Sequence, residues 1–301
     1  MFALFQQEFI QNAFLAGTIV ALVTAVVGYF VVLRAQAFAS ESISEIGFAG
    51  STGGPLFGVS SLIGMFILTI LSALGMGALG ERVRGRDVET GMVLAFALGL
   101  GVLFTSLYAS GKNAVVTVSA LFGSILSVTR GDVLTTLISG IVVLLLLAFL
   151  FRPLLFASID PEVAQTRGVP IRLLSIMFLV LLAVTIAMAI QVVGALLVFA
   201  LLIAPAASAA RLTHRPLASV ALSILLGLAV TWLGLFLTVT GPGGRYLPAS
   251  FYIATLATLT YFAALIASRW SAPRRASVSA TPRPTREQLV GRNHHKEIIR
   301  K

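Results

Sequence analysis

The chain has 301 residues and a mass of 31.7 kDa; 58% of its residues are hydrophobic, 11% are charged, and its mean hydropathy is +1.00. Soluble domains carry about 25% charged residues, so this composition excludes a soluble enzyme, a disordered chain or a nucleic-acid-binding domain as the main body and makes lipid the solvent for most of it. Much of the net charge of +10 lies at one end: residues 269–301 carry seven Arg and two Lys against Glu287 and Glu297, a net +7. Such a tail beside a span fixes topology rather than binding nucleic acid. The absence of cysteine removes disulfides, thiolate metal sites and c-type haem attachment.

In chain order, nine apolar segments are predicted at about 12–33, 36–54, 56–78, 91–109, 133–151, 171–190, 192–210, 217–239 and 249–268. Most reach the roughly 20 residues that cross a hydrocarbon core of about 30 Å. The fold class expected is an all-α polytopic bundle of about nine transmembrane helices over residues 1–268, followed by a basic, unfolded tail over 269–301. Glu8 is the only charge before the first span, and no basic segment precedes it, so no cleaved secretory signal is expected. Residues 113–128 are apolar but short, and suit a re-entrant or interfacial helix. Arg34, the loop with Arg82, Arg84 and Arg86, the loop with Arg152, Arg167 and Arg172, the pair Arg211 and Arg215, and the tail fall on one side in a single topology. That topology has the N-terminus outside and the C-terminus in the cytoplasm; only Lys112, Arg130 and Arg245 are then basic on the outer side.

The second span is the exception to the apolar rule. It carries Glu41 and Glu45, while the other nine acidic residues lie in loops, termini or the tail. A charge within a span costs several kcal/mol and marks an ion path or a paired site. The i, i+4 spacing puts both carboxylates on one helix face, which Phe38, Phe48 and Thr52 continue, with Glu45 about 15 Å into the membrane. Two carboxylates this close hold a proton or a cation between them. With Ser40, Ser42 and Ser44 nearby, oxygen donors favour hard or borderline cations such as Mn²⁺. Two plainer readings stand beside this: a span that begins later, leaving Glu41 in cytoplasmic water, or a protonated pair bonded to neighbouring helices.

The loop RPLLFASIDPEVAQTRGVPIR (152–172) predicts a short helix capped by Asp160, opened by Pro161 and ended by Gly168 and Pro170. It reads either as an ordinary connection or as a rigid knob for a soluble partner. The chain contains no G-x-x-x-x-G-K-[ST] motif, so ATP, if it drives the process, is hydrolysed by another polypeptide. No Ser–His–Asp set or H-E-x-x-H motif is present; His214, His294 and His295 lie outside the spans, and the last two form a pair in the tail. The small-residue run Ala204, Ala206, Ala207, Ser208, Ala209 and Ala210 allows close helix contact, and the Gly241–Gly244 segment reads as an outer turn.

Four stretches in order resemble one family: LRAQAFASESISEIGFAG (33–50), LFGSILSVTRGDV (121–133), FRPLLFASIDPEVAQTRGVP (151–170) and VVGALLVFALLIAPAASAARL (192–212). Over about residues 12–267 the chain is similar to the membrane permeases of ATP-binding-cassette importers for zinc, manganese and iron ions. More distantly, 121–170 resembles permeases for cobalamin and iron–siderophore complexes. The resemblance implies a homodimer with the pathway between subunits, in the plasma membrane of a prokaryote. It further implies a separate cytoplasmic ATPase dimer that binds the ATP, an extracytoplasmic solute-binding protein, and no tightly bound cofactor or enzymatic activity of the permease itself. Asp160, Glu162, Ala164 and Gly168 match the family's acidic-x-Glu-x-Ala-x-x-x-Gly loop and become the coupling helix that contacts the ATPase. The family usually has Asp and His four apart in the second span, where this chain has Glu41 and Glu45. Losing the imidazole removes a nitrogen ligand that suits Zn²⁺, so the expected cargo leans slightly to Mn²⁺ or Fe²⁺. A metal chelate as cargo, or a secondary transporter with the two carboxylates as a proton or sodium relay, are the alternatives.

Overall fold

The computed structural model describes residues 7–79, 86–109, 123, 125–213, 215–241 and 248–271. Among these residues it is all helical. The helices are α1 (Glu8–Leu33), α2 (Ala37–Leu56), α3 (Ser61–Leu79), α4 (Arg86–Ala109), α5 (Arg130–Ile159), α6 (Pro161–Thr166), α7 (Ile171–Val193), α8 (Ala195–Leu212), α9 (Pro216–Thr240) and α10 (Ala249–Ser271). A 3₁₀ turn at Ile125–Ser127 precedes α5. The chain divides into a unit of residues 1–265 and a second of 266–301.

Each of the nine predicted spans coincides with one long helix. Among the described residues, seven of these helices (α1, α3, α5, α7, α8, α9 and α10) are long and apolar enough to cross a membrane. In α2 the carboxylates and hydroxyls lower the hydropathy, and in α4 the described side chains form an apolar stretch at Gly91–Leu107. The expectation of about nine crossings is therefore approximate. Residues 113–122, His214, the outer segment 242–247 and the tail beyond 271 lie outside the described residues.

Local chemistry sets the breaks. After α1 the Ala35 N–H donates to the Val32 carbonyl (3.2 Å) and the Gln36 N–H to the Val31 carbonyl (2.9 Å), with Ala35 in the left-handed region at φ +53°. The reverse turn that results sends α2 off beside α1. α5 opens on a reciprocal cap: the Asp132 N–H donates to Thr129 Oγ1 (3.3 Å) and the Thr129 N–H to Asp132 Oδ2 (3.0 Å). Gly194, at φ 84° and ψ 158°, separates α7 from α8. Only glycine holds that conformation readily, which is why one apolar stretch becomes two helices.

α1, α2 and α7 are the most enclosed of the long helices, each with more than half of its residues buried. α1 packs against α5, α7, α8 and α9. Its Gly28 lies so near α8 that a Cβ would overlap the Leu202 carbonyl, and Ser223 Oγ of α9 donates to the Ala25 carbonyl at 3.0 Å. Ala206 of α8 serves this contact, and Ser208 and Ala209 further along α8 are likewise fully buried. Helices that share no hydrophobic drive in lipid associate through such close backbone approach. α2, α3 and α4 form a second group, joined to the first through α7 and α8. Here Gly50 and Gly54 of α2 meet Gly64 of α3 backbone to backbone, and Gly53 meets the Phe104 ring of α4. Large apolar side chains left exposed on the outer helices, such as Leu71, Phe96 and Phe149, are what a lipid solvent tolerates.

Candidate functional site: the carboxylate pair and the exposed knob

α2 is a helix whose sides are nearly all assigned. At 100° per residue, one flank carries Ser44, whose Oγ donates to the Ala195 carbonyl of α8 at 3.0 Å. The next carries Gly47, against Ile190 and Thr69, and then Gly50 and Gly54, against α3. Gly53 faces α4. The arc that remains, between the α8 side and the α4 side, holds Phe38, Glu41 and Glu45. This face is open at its Phe38 end, where the ring is 63% exposed, and closes inward: Glu45 and Phe48 are each 6% exposed and Thr52 is 1% exposed. Glu41 is half-buried. Its Oε2 is buried and accepts no hydrogen bond from the described residues. Glu45 stands eight residues past Ala37, about 12 Å along the helix.

The helix begins at Ala37, four residues before Glu41. The serines behave differently from expectation. Ser40 Oγ donates to the Ala37 carbonyl (2.6 Å), Ser42 Oγ to the Phe38 carbonyl (3.0 Å), and Ser44 reaches across to α8. A hydroxyl inside lipid satisfies its proton on the nearest carbonyl, and at 100° per residue Ser40 and Ser42 lie off the carboxylate face. The charged oxygens of that face are the two carboxylates, while Thr52 Oγ1 donates to the Phe48 and Ala49 carbonyls, each at 3.2 Å. Among the described residues of one chain, no three His, Cys, Asp or Glu side chains come together as a metal-holding group.

The knob follows the predicted pattern. Asp160 caps α6, its Oδ1 accepting from the Val163 N–H at 3.0 Å, and Pro161 takes the first helical position. Ala164 is fully buried and anchors the helix, while Glu162 and Gln165 stay exposed. The Val169 N–H donates to the Ala164 carbonyl (3.1 Å) across Gly168, whose φ of +79° terminates the helix. Asp160, Glu162, Ala164 and Gly168 thus form one structural unit. Loss of the cap in Asp160→Ala costs about 1 kcal/mol of local helix stability. The expected result is faster amide hydrogen exchange in 161–167 with little change elsewhere.

Gln191 was not singled out from the sequence. Its Nε2 donates to Asp132 Oδ1 at 2.7 Å, tying α7 to the start of α5, and Arg130 at the same end pairs with Glu8 at 2.7 Å. A lone amide inside an otherwise apolar run was the available signal.

A bundle of helices long and apolar enough to cross a membrane, one neighbour of which carries the buried Glu45 and the half-buried Glu41, is the architecture of a membrane transport protein. The chain belongs to the ABC 3 transport family, whose model matches residues 6–268. It is 31% identical, over 92% of its length and 96% of the relative's, to the manganese transport system membrane protein MntC of Halalkalibacterium halodurans. It is 30% identical, over 83% of its length and 97% of the relative's, to the high-affinity zinc uptake system membrane protein ZnuB of Haemophilus influenzae. Among solved structures, PsaBC from Streptococcus pneumoniae in complex with Fab superposes with a TM-score of 0.77 at 27% identity, covering 88% of this chain and 95% of that one. A metal-chelate type ABC transporter in an inward-facing conformation shares the fold, with a TM-score of 0.67 at 18% identity over 85% of each chain.

Proposed function

We propose that the chain is the permease subunit of an ATP-driven importer for divalent metal ions, and that Glu41 and Glu45 line the ion's path. The observation that carries this is the α2 face: two carboxylates one turn apart, one with a buried oxygen that accepts no hydrogen bond from the described residues. Such an oxygen calls for a cation or a proton. Two carboxylates fall short of a full coordination shell, so a second copy of the chain, facing the first across a two-fold axis, supplies the rest. The matched relatives that name manganese and zinc support a divalent cargo, and the all-oxygen character of this pair leans toward Mn²⁺ or Fe²⁺ over Zn²⁺.

In this reading the N-terminus lies outside and the C-terminus, with the basic tail 269–301, lies in the cytoplasm. α2 and α4 complete nine crossings. α6 then faces a cytoplasmic ATPase dimer, which binds and hydrolyses the ATP; the permease itself carries no enzymatic step and no resident cofactor. An extracytoplasmic solute-binding protein delivers the ion. Closure of the ATPase dimer moves α6, the two permease copies rock, and the carboxylate face changes the side of the membrane to which it opens. Membership of an ABC transport family weighs against the ion-coupled carrier.

The test is ATP hydrolysis by the reconstituted permease, ATPase and binding protein across a metal series. Mn²⁺ or Fe²⁺ stimulates more than Zn²⁺ if the lean holds, and the stimulation depends on Glu45. A preference for Zn²⁺ that is indifferent to Glu45→Gln contradicts both the lean and the site.

A further inference from the structure

Among the hydroxyls of α2, Ser44 is set apart. Ser40, Ser42, Ser51 and Thr52 each donate to a carbonyl of α2 itself, as hydroxyls in apolar surroundings ordinarily do. Ser44, 2% exposed, donates instead to the Ala195 carbonyl of α8 at 3.0 Å. At 100° per residue it stands about 60° round the helix from Glu41 and about 100° from Glu45, between the carboxylate face and the glycine seam against α3. The acceptor is a fixed point. Ala195 opens α8 directly after the break at Gly194, and Val192, Val193, Ala195, Leu197 and Val198 are each at most 2% exposed. Gly123, at φ +74°, lies so close to the break that a Cβ would overlap the Val193 carbonyl. Close-packed backbone of this kind does not follow α2 if α2 turns.

The seam on the other flank holds α2 without fixing its rotation. Gly50 and Gly54 meet Gly64 backbone to backbone, with no side chains to interlock. A hydrogen bond is directional and supplies what that seam lacks. We propose that Ser44 is a positioning residue: through the Ala195 carbonyl it sets the rotation of α2, and with it the direction in which Glu41 and Glu45 meet the ion. This rests on the carboxylates lining the ion's path, as proposed above. The carboxylate ends stand about 5–6 Å from the helix axis, so a turn of about 10° displaces them by about 1 Å. Metal–ligand distances tolerate about 0.2 Å. Mn²⁺ and Zn²⁺ differ in preferred ligand geometry, so displaced carboxylates change the two ions unequally.

The experiment uses the full chain in the assembled importer, in proteoliposomes, and reads the ratio of uptake rates for radiolabelled Mn²⁺ and Zn²⁺, each supplied on saturated binding protein. Such a ratio does not depend on how much of the sample is folded. Ser44→Ala is expected to shift it by about threefold or more. Ser223→Ala is the matched control, since Ser223 is fully buried and donates from α9 to the Ala25 carbonyl of α1, also at 3.0 Å. It is expected to lower the thermal midpoint about as much as Ser44→Ala does and to leave the ratio unchanged. Ser44→Cys, which keeps a weaker donor of nearly the same shape, is expected to fall between the native chain and Ser44→Ala. An unchanged ratio in Ser44→Ala, or an equal shift in Ser223→Ala, overturns the positioning role. If Ser44→Ala carries neither ion, a native ratio in Ser44→Cys overturns it. Glu45→Gln separates the two claims: loss of transport there, with the Ser44→Ala ratio unchanged, contradicts the positioning role alone, whereas native rates and ratio in Glu45→Gln contradict the ion path itself.

Discussion

Glu45→Gln is expected to abolish ion-stimulated transport while leaving a folded, correctly assembled permease. Gln keeps the shape of the side chain and removes the charge. A neutral amide at a position 6% exposed is easier to bury than a carboxylate, so the thermal midpoint should hold or rise. Ion affinity, by contrast, loses a primary oxygen donor and a charge. Removing a group one shell out from a metal already costs roughly 10- to 100-fold, and a direct ligand costs at least that. Glu41→Gln should act in the same direction. With both carboxylates serving one ion, as proposed, the double variant should be scarcely worse than the more damaging single one. Uptake of radiolabelled Mn²⁺ into proteoliposomes, read beside the thermal midpoint, separates loss of site from loss of fold.

Gly28→Leu carries the second large effect, and it is one of stability. A Cβ at this position would overlap the Leu202 carbonyl and come within 3.4 Å of Ala206 Cβ. Backbone cannot yield as a flexible side chain does, so α1 and α8 would have to separate. Overpacking ordinarily costs 1–3 kcal/mol, and a clash with backbone belongs at or above the upper end, about 3 kcal/mol. Gly75→Leu on α3 is the matched control, since a Cβ there meets nothing within 4 Å. The yield of monodisperse protein and its thermal midpoint should fall sharply for Gly28→Leu and barely change for Gly75→Leu. Equal behaviour of the two variants would show that close approach of α1 and α8 does not hold the bundle together.

Much of the architecture was legible because lipid is a demanding solvent. Every backbone polar group in a span must be satisfied within a helix, so apolar length alone places α1, α3, α5 and α7–α10. Short-range chemistry was equally readable: Asp160 and Pro161 open α6 and Gly168 closes it, as capping preferences require. The pairing of Glu41 with Glu45 on one face needed only the helical repeat. What was hidden depends on neighbours distant in sequence. Nothing local tells whether Ser44 joins the carboxylates or reaches the Ala195 carbonyl, 151 residues away. Arg34 and Arg172 read as markers of sidedness, and only the meeting of α1, α3, α5, α6 and α7 turns them into the walls of one cavity. The pair Asp132 and Gln191 was hidden for the same reason, being 59 residues apart.

The claim that a water-accessible ion path runs along the α2 carboxylates can be tested directly, because the chain has no cysteine of its own. Glu41→Cys and Glu45→Cys each introduce a single thiol, and the rate of modification by a charged, membrane-impermeant thiol reagent added from either side reports water access. In the assembled importer, both thiols are expected to react, with the accessible side switching between nucleotide-free and ATP-bound states. Reaction only with lipid-soluble reagents, from neither aqueous side and in no nucleotide state, would place the pair in a sealed helix contact and contradict the proposed path.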